Sequence, residues 1–287
     1  MSVIALILVL ISSVIHATWN LLSKKAEGGY IFVWLFTFLG AVFYTPFVII
    51  LILWMHPHFK MIDWVFIIGS ALIHLLYFMT LQKGYAKSDF SIVYPIARGI
   101  GPIIATIIAV IVYHEKPSPF VILGTIIIVF SVFMMSGGIK LLKGHVDIVG
   151  VLYGVIVGLC IGTYTTWDKY AVGFLLLSPI IYDYFCTLFR FVFLTPSAIT
   201  KKEKVKSIWH QYKWQAFTVG ILNSLAYILV LTALSIAPVS YIAPLREIGI
   251  LIGTLFGVYF LKESYGKKQI LLAGFMVVGV ICIAISE

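Results

Sequence analysis

The sequence predicts an all-α integral membrane protein of ten transmembrane helices, built as two inverted five-helix repeats. Three observations support this: the composition, the lengths of the apolar runs, and a set of short motifs that occurs twice. Of the 287 residues, 62% are hydrophobic and only 11% are charged, and the mean hydropathy is +1.09. Because soluble domains carry about 25% charged residues, this composition excludes a soluble globular fold.

The apolar runs have the length of bilayer-spanning helices, which need about 20 residues each. They cover residues 2–23, 30–55, 62–82, 89–113, 118–138, 147–171, 178–199, 213–236, 239–261 and 268–286. The first run lacks the basic n-region of a signal peptide, so we interpret it as a span. The links are short, which favours antiparallel neighbours. The longest link, residues 200–213, is basic and aromatic and too short to fold alone.

Motifs of the first half recur in the same order in the second half. The pairs are Thr18-Trp19-Asn20 with Thr166-Trp167-Asp168, Tyr77 with Tyr227, Ser91-x-x-x-Pro95 with Ser240-x-x-x-Pro244, Arg98-x-x-Gly101 with Arg246-x-x-Gly249, and Glu115 with Glu263. Each unit holds five spans, and an odd number forces the second unit to enter the membrane from the opposite face. We therefore expect one repeat over residues 1–143 and another over residues 144–287.

The basic residues indicate topology. A net charge of +9 would suggest a nucleic-acid partner in a soluble chain, but here most lysines lie in the links between apolar runs, so we expect no such partner. One face carries most of these lysines, and the other carries Lys60, Lys116 and Lys169. Because the lysine-rich face is the one away from both termini, the positive-inside rule places the termini outside.

Two prolines interrupt the fourth and ninth spans at matching places. Pro95 and Pro244 lack the N–H that would bond the carbonyls of Ser91 and Ser240, so those carbonyls are freed. A matched pair of broken spans is typical of a transport site. The alternative is a simple kink, which membrane helices tolerate.

Two arginines lie well inside the apolar thickness of the same spans. A charge near the bilayer centre costs about 2.5–3.5 kcal/mol on insertion scales, so Arg98 and Arg246 should face the bundle interior. They either bind an anionic group or lock helices in an ion pair, for which Glu247 is the obvious partner. Arg190, with Asp183 two turns earlier on the same helix face, is better interpreted as a structural pair.

Further candidates are polar or aromatic side chains within the spans. The substrate-binding candidates beyond the two arginines are His16, Trp19, His74, Tyr77, Tyr94, Trp167 and Tyr227, and Asp168 and Glu247 are candidates for coupling or ion pairing. The structural alternatives are interhelical hydrogen bonds for the histidines and an interfacial belt for the tryptophans. Asp168 and Lys169 could also simply reach the headgroups. The glycine ridges, at residues 150, 154, 158 and 162 and at 249, 253 and 257, predict close helix packing.

Enzyme chemistry has no support in the sequence. No catalytic motif for a zinc protease, a serine hydrolase or a phosphate-binding loop is present. Cys160, Cys186 and Cys282 all lie inside apolar runs, and His56-Pro57-His58 lacks a third ligand. We therefore expect no enzyme activity, no cofactor and no metal.

The motifs resemble those of a known family. A proline-bearing fourth helix that ends in acid, in Tyr113-His114-Glu115-Lys116 and Leu261-Lys262-Glu263-Ser264, precedes a fifth helix with Gly124 or Gly274. Together with residues 16–20 and 91–99, this is similar to the EamA-type transporters of the drug/metabolite transporter superfamily. The resemblance covers essentially the whole chain. It implies ten helices, inverted repeats and a central cavity lined by spans one, three, four, six, eight and nine, and it implies cytoplasmic termini, against the lysine distribution.

The function expected is secondary active transport, in the bacterial cytoplasmic membrane, of a small polar metabolite that is anionic or zwitterionic. The expected partners are the substrate, the lipid bilayer and a coupling proton, with the protein a monomer or homodimer. One alternative is an exporter of hydrophobic cations that uses Glu247 and Asp168. Another is a membrane-embedded enzyme on a lipid-linked substrate, with His16 or His74 as base.

Overall fold

Ten labelled α-helices make up the part of the chain that the structure, a computed structural model, describes. The described residues are 2–24, 29–88, 90–135, 147–253 and 267–286. The helices are α1 (Val3–Lys24), α2 (Gly29–Met55), α3 (Met61–Lys87), α4 (Phe90–Val112), α5 (Pro119–Met135), α6 (Ile148–Gly173), α7 (Pro179–Ile199), α8 (Lys202–Ile236), α9 (Val239–Leu245) and α10 (Lys267–Ala284). Residues 248–253 are also helical.

Several of these helices have the length and apolar composition of membrane-spanning helices. Six in the described ranges are long and apolar enough to cross a membrane, namely Val3–Ser23, Gly29–Met55, Met61–Lys87, Ile92–Val112, Ile148–Gly173 and Lys202–Ile236, while the apolar stretches Pro119–Met134 and Leu271–Ala284 are shorter. Large aliphatic side chains point outward, such as Ile50, Leu53 and Ile111, which are 64%, 66% and 67% exposed. An apolar outer surface confirms the predicted all-helical membrane fold.

Residues 202–213 of the predicted link are helical and belong to α8. This helix has 35 residues, and only Tyr212 has non-helical backbone angles, with φ −129° and ψ 17°. Ile208 is buried, and it packs with Val205 and Tyr212 against α2. Spacings of three and four residues place these side chains on one helix face, and this apolar stripe explains why the segment folds onto its neighbour.

The two proline-bearing spans differ in backbone. In the second half, α9 ends at Leu245, and Arg246 and Glu247 form a turn in which the Glu247 N–H donates to the Pro244 carbonyl at 3.1 Å. In the first half, the backbone of α4 is helical throughout residues 90–112, on both sides of Pro95. The side chains of Ser91 and Pro95 lie outside the described part of the structure.

The glycine ridge of α6 packs tightly against α4. A Cβ atom on Gly154, Gly158 or Gly162 would lie within 2.5–2.8 Å of the nearest side-chain atom of Ile96, Ile100 or Ile104. On the other ridge, a Cβ on Gly249 or Gly253 would have no neighbour closer than 3.6 Å and 4.0 Å, and Gly257 lies outside the described residues. The close packing predicted from glycine spacing therefore holds for α6.

Other contacts place α6 in the interior, packed against α3, α4 and α8. Its N-terminus is tied to the end of α3, because the Ser88 hydroxyl donates to Asp147 at 2.5 Å, and the Asp147 carboxyl also accepts from the N–H groups of Val149 and Gly150. These donors, led by the Ser88 hydroxyl, hold the pKa of the Asp147 carboxyl below its ordinary value. The helix that carries Asp168 is thus anchored at its start.

Candidate functional site

Arg98 and Glu247 form an ion pair between α4 and the turn that follows α9. Arg98 Nη1 lies 3.3 Å from Glu247 Oε1, and Nη2 lies 3.5 Å from Nε2 of His16 on α1. The Arg98 guanidinium is also 5.7 Å from the centre of the Tyr94 ring. Glu247 is 2% exposed, so its carboxylate neutralises the arginine in a water-poor place.

Arg246, the neighbour of Glu247 in sequence, points to a different environment. Its Nη1 donates to the Thr165 hydroxyl at 3.3 Å, and its guanidinium lies 6.0 Å from the Tyr164 ring centre and 5.7 Å from that of Tyr227. Among the described residues, Arg246 has no ion-pair partner. The hydrogen bond and the ring contacts of this half-buried guanidinium are thus all to neutral groups, and Glu247 acts on it only at longer range.

Aromatic rings form one side of this arginine site. The His74 ring stacks on Tyr164 with centres 4.1 Å apart and meets Tyr227 edge-on at 5.4 Å, while Tyr77 is 6.0 Å from Tyr164. His74 Nδ1 lies 2.9 Å from the Ser70 carbonyl, which can only accept, so Nδ1 carries the proton. The wall is therefore flat and apolar, with hydrogen-bonding groups at its rim.

Asp168 is buried behind that wall, with an exposed fraction of 0%. It accepts hydrogen bonds from the Tyr182 hydroxyl at 2.7 Å and from the Tyr227 hydroxyl. The structure thus places Asp168 in the protein interior and away from the headgroups. Tyr227 belongs to both environments, because its ring faces Arg246 and its hydroxyl bonds Asp168.

Two charged side chains hold the connection between α8 and α9, and we call Glu115 and Lys169 the α8–α9 clamp. Lys169 Nζ donates to the carbonyls of Leu234 and Ala237, at 2.6 Å and 3.0 Å, at the C-terminal end of α8. Glu115 accepts from the Val239 and Ser240 N–H groups, at 2.8 Å and 2.9 Å, at the start of α9. A cation at a helix C-terminus and an anion at an N-terminus both stabilise the helix ends.

Ser240 also contacts the clamp through its side chain, because its hydroxyl donates to Glu115 at 2.6 Å. Lys169 is 9% exposed, so it is an internal contact and not a headgroup contact. The connection between α8 and α9 is therefore fastened to the link after α4 through Glu115 and to α6 through Lys169.

The two predicted tryptophans lie at different places. Trp167 Nε1 donates to the Phe66 carbonyl at 2.9 Å, and its ring lies 4.5 Å from the Phe66 ring, so it packs against α3 and outside the arginine sites. Trp19 contacts the His16 ring edge-on at 4.9 Å. Its buried Nε1 has no hydrogen-bond partner in the described part of the protein.

Arg190 has the structural pairing that its sequence position predicts. It lies 3.8 Å from Asp183 and donates to the Thr187 hydroxyl at 2.7 Å and the Cys186 carbonyl at 3.4 Å. All of these partners are on α7, within two turns of the arginine. This arginine is thus satisfied within its own helix.

Four contributors are not among the site residues predicted from sequence, namely Tyr164, Thr165, Lys169 and Tyr182. A signal for three of them was available, because residues 163–169 form a run of threonines, aromatics and charges within an otherwise apolar span. Tyr182 precedes Asp183 and carries no such signal. In the described ranges, no group of three or more His, Cys, Asp or Glu side chains could hold a metal ion.

Comparison with known proteins relates this chain to a family. The profile of the EamA-like transporter family matches residues 3–137 and 148–285. A search of the curated proteins gave no significant match. Among solved structures, 27 chains match, and one crystal structure of a protein superposes with a TM-score of 0.74 at 14% identity, covering 98% of this chain and 96% of that one. At this identity the likeness shows a common fold.

Proposed function

This chain belongs to the EamA-like transporter family, and we propose that it is a secondary active transporter of a small anionic or zwitterionic metabolite, of the amino acid or organic acid type. It is a multi-pass membrane protein, and family members are membrane transporters. We place it in the bacterial cytoplasmic membrane. The observation that carries the substrate class is Arg246, whose described contacts are all neutral.

The charge balance supports an anion at Arg246 in preference to Arg98. Glu247 already neutralises Arg98 at 3.3 Å. Arg246 has a single long hydrogen bond, to a hydroxyl group, and two ring faces. A guanidinium presents a planar fork that matches a carboxylate, so an incoming carboxylate would supply the missing partner.

The rings beside Arg246 favour a substrate with a flat or apolar part. Tyr164, His74 and Tyr227 lie within ring-contact distance of one another, and a planar group can pack against such a wall. The site also joins the two halves of the chain, since α3 contributes His74 and α6 contributes Tyr164. We propose that residues 1–143 and 144–287 are inverted repeats that rock about this site in alternating access.

The alternative of cation export is less well supported. A cation exporter would need a free acidic group beside the aromatic wall, but Glu247 is engaged by Arg98, and Asp168 accepts from two tyrosines. A cation, benzylamine, is therefore the control ligand against which the acids are compared.

The test is thermal unfolding of the purified full-length protein with matched probes: benzoate, benzamide and benzylamine, together with succinate and succinamide. A ligand that binds the folded state raises the unfolding midpoint. We expect an acid to raise it and its amide to have no effect, and we expect Arg246→Gln to abolish the rise. Trp167→Phe, outside the arginine sites, is the matched control and should retain it.

Three outcomes would overturn the proposal: equal shifts from an acid and its amide, no shift from any acid, or an undiminished shift in Arg246→Gln. A shift from benzylamine alone would instead favour cation export. An acid that binds is then tested for uptake into proteoliposomes, where wild type should transport it and Arg246→Gln should not.

A further inference from the structure

Asp168 is a buried carboxyl group without a cation beside it. Its residue is 0% exposed, and the described side chains place no Lys, Arg or His nitrogen within ion-pair distance of it. An unpaired charge in such a place is costly, and proteins relieve the cost by binding a proton. The position therefore favours a group that can exist in two protonation states.

Among Asp168 and the titratable groups that surround it, the Asp168 carboxyl is the one whose contacts best allow it to exchange a proton. On α7 they are Tyr182, Asp183, Cys186 and Arg190, on α8 Tyr227, and after α4 Tyr113. Arg190 pairs with Asp183 at 3.8 Å. His74 reaches the cluster through the Tyr227 ring and through Ser70, whose hydroxyl lies 3.3 Å from His74 Nδ1 and also bonds Asp168. On its own helix, the adjacent Lys169 is turned to the end of α8.

The hydrogen bonds around Asp168 can satisfy both protonation states. When it is ionised, the carboxylate accepts from Tyr182 and Tyr227. The Tyr182 hydroxyl has a second acceptor within reach, the Phe66 carbonyl at 3.2 Å. When Asp168 is protonated, Tyr182 can turn its hydrogen to that carbonyl, and its oxygen then accepts from the new carboxyl O–H. Tyr227 continues to donate to the other oxygen, so no polar group is left unsatisfied.

A surface cleft reaches Tyr182, one member of this cluster. It has a volume of about 550 Å³ and lies between the α2–α3 link and the α6–α7 link, with His58, Lys60, Asp63 and Tyr182 among its lining residues. Tyr182 therefore both lines the cleft and bonds the buried carboxyl, which is the position that a proton relay requires.

Tyr227 connects the carboxyl to the proposed anion site. Its hydroxyl bonds Asp168, and its ring lies 5.7 Å from the Arg246 guanidinium. A second negative charge arriving at Arg246 raises the free energy of an ionised Asp168 nearby, and the proton compensates for it. By reciprocity, a proton on Asp168 strengthens anion binding.

We propose that Asp168 is a proton-binding site, loaded through Tyr182 from the cleft and linked through Tyr227 to anion binding at Arg246. The link to Arg246 rests on the proposed function, whereas the proton site itself does not. The proton enters from the cleft side as H⁺. Tyr182 passes its own hydroxyl hydrogen to Asp168 as the incoming proton re-forms the Tyr182 O–H bond, so the net change is one O–H bond gained on Asp168.

The proton site is tested without any substrate, by infrared difference spectra of the purified full-length protein between alkaline and acidic pH. We expect a protonated-carboxyl C=O band to appear on acidification, to be lost in Asp168→Asn, and to remain in Asp183→Asn and Glu247→Gln. Tyr182→Phe, which removes the relay hydroxyl, should keep the band at a changed frequency. Identical spectra for wild type and Asp168→Asn would refute the proton site, and an unchanged frequency in Tyr182→Phe would refute the role of Tyr182 as its relay.

The link is tested by calorimetry of benzoate binding in two buffers of different ionisation enthalpy, which reports protons taken up per anion bound. We expect net uptake by wild type, none by Asp168→Asn, and a reduced value for Tyr227→Phe. Benzoate binding without proton uptake would refute the link and leave the proposed function standing. A carboxyl band that depends on Asp168, together with no binding of any acid, would refute the anion site and leave the proton site standing.

Discussion

Arg98 and Glu247 lie 149 residues apart in sequence and 3.3 Å apart in space, and their ion pair joins α4 to the turn after α9. Removing one partner of a buried pair leaves a charge without compensation. We expect Glu247→Gln to lower the free energy of unfolding by about 3 kcal/mol, and the double variant Arg98→Gln/Glu247→Gln to lose less. Equilibrium unfolding in mixed micelles measures both, and a double variant that is no more stable than Glu247→Gln would contradict this.

The α8–α9 clamp should control access to the connection that it fastens. Glu115→Gln replaces one of the two carboxylate oxygens with an amide nitrogen that cannot accept from the N–H groups of α9. In a background without the three native cysteines, we expect faster maleimide labelling of Ala237→Cys when Glu115 is Gln. Glu203→Gln, at the exposed start of α8, is the control and should leave the rate unchanged. Equal rates for all three proteins would show that the clamp does not restrain this end.

The Asp147 cap should give α6 a stability that depends on pH. Because its folded pKa lies below the ordinary value, the stabilising contribution is present above the unfolded pKa and is lost as the pH falls through the folded pKa. We expect Asp147→Ala to lower the unfolding midpoint at neutral pH, and the difference from wild type to shrink in acid. A difference that stays constant across the acid range would contradict the assignment.

Alanine substitutions at two glycines distinguish the effect of close packing on stability from the effect of helix propensity. The Cβ of Gly158→Ala would lie 2.7 Å from Ile100, whereas a Cβ at Gly274 on α10 has no neighbour within 4 Å. We expect Gly158→Ala to destabilise by about 1–3 kcal/mol through overpacking. The matched Gly274→Ala should be neutral or stabilise by about 0.5–1 kcal/mol, because alanine favours a helix interior. Similar effects at the two positions would show that α6 and α4 are not in tight contact.

The orientation of the chain is a separate prediction. Because Lys169 is buried, it no longer counts among the lysines of the face that carries fewer of them. The excess of lysines on the other face therefore grows, and this excess is what places the termini outside. Glu287→Cys, in the cysteine-free background, should react with an impermeant maleimide in intact cells. Reaction only after the membrane is opened would support the cytoplasmic termini that the family resemblance implies.

Much of the fold was predictable because lipid imposes simple rules on sequence. Long apolar runs, α6 glycine spacing and the mid-span charges Arg98 and Arg246 have few alternatives in a bilayer. The helical residues 202–213 were not predicted because their basic residues obscure an apolar stripe of three residues, Val205, Ile208 and Tyr212. Such a stripe is stabilised by α2, which is remote in sequence.

The site was only partly predictable for a related reason. Sequence position indicates that Arg98, Arg246 and Glu247 are interior. Which arginine forms the ion pair with Glu247 depends on the turn after α9. The partners of Asp168 come from α7 and α8, and no spacing rule connects residues 168, 182 and 227. Pairings between helices depend on packing angles, and these do not follow from local pattern.

The contact of α6 glycines with α4 isoleucines has an evolutionary consequence. A side chain can be accepted at residue 154, 158 or 162 only if the facing residue 96, 100 or 104 becomes smaller or the helices separate. Sequence change at this contact between α6 and α4 must therefore proceed by paired substitutions, whereas the outward-facing aliphatic positions can change singly. Among homologues, we expect these facing positions to covary and the lipid-facing positions to vary independently.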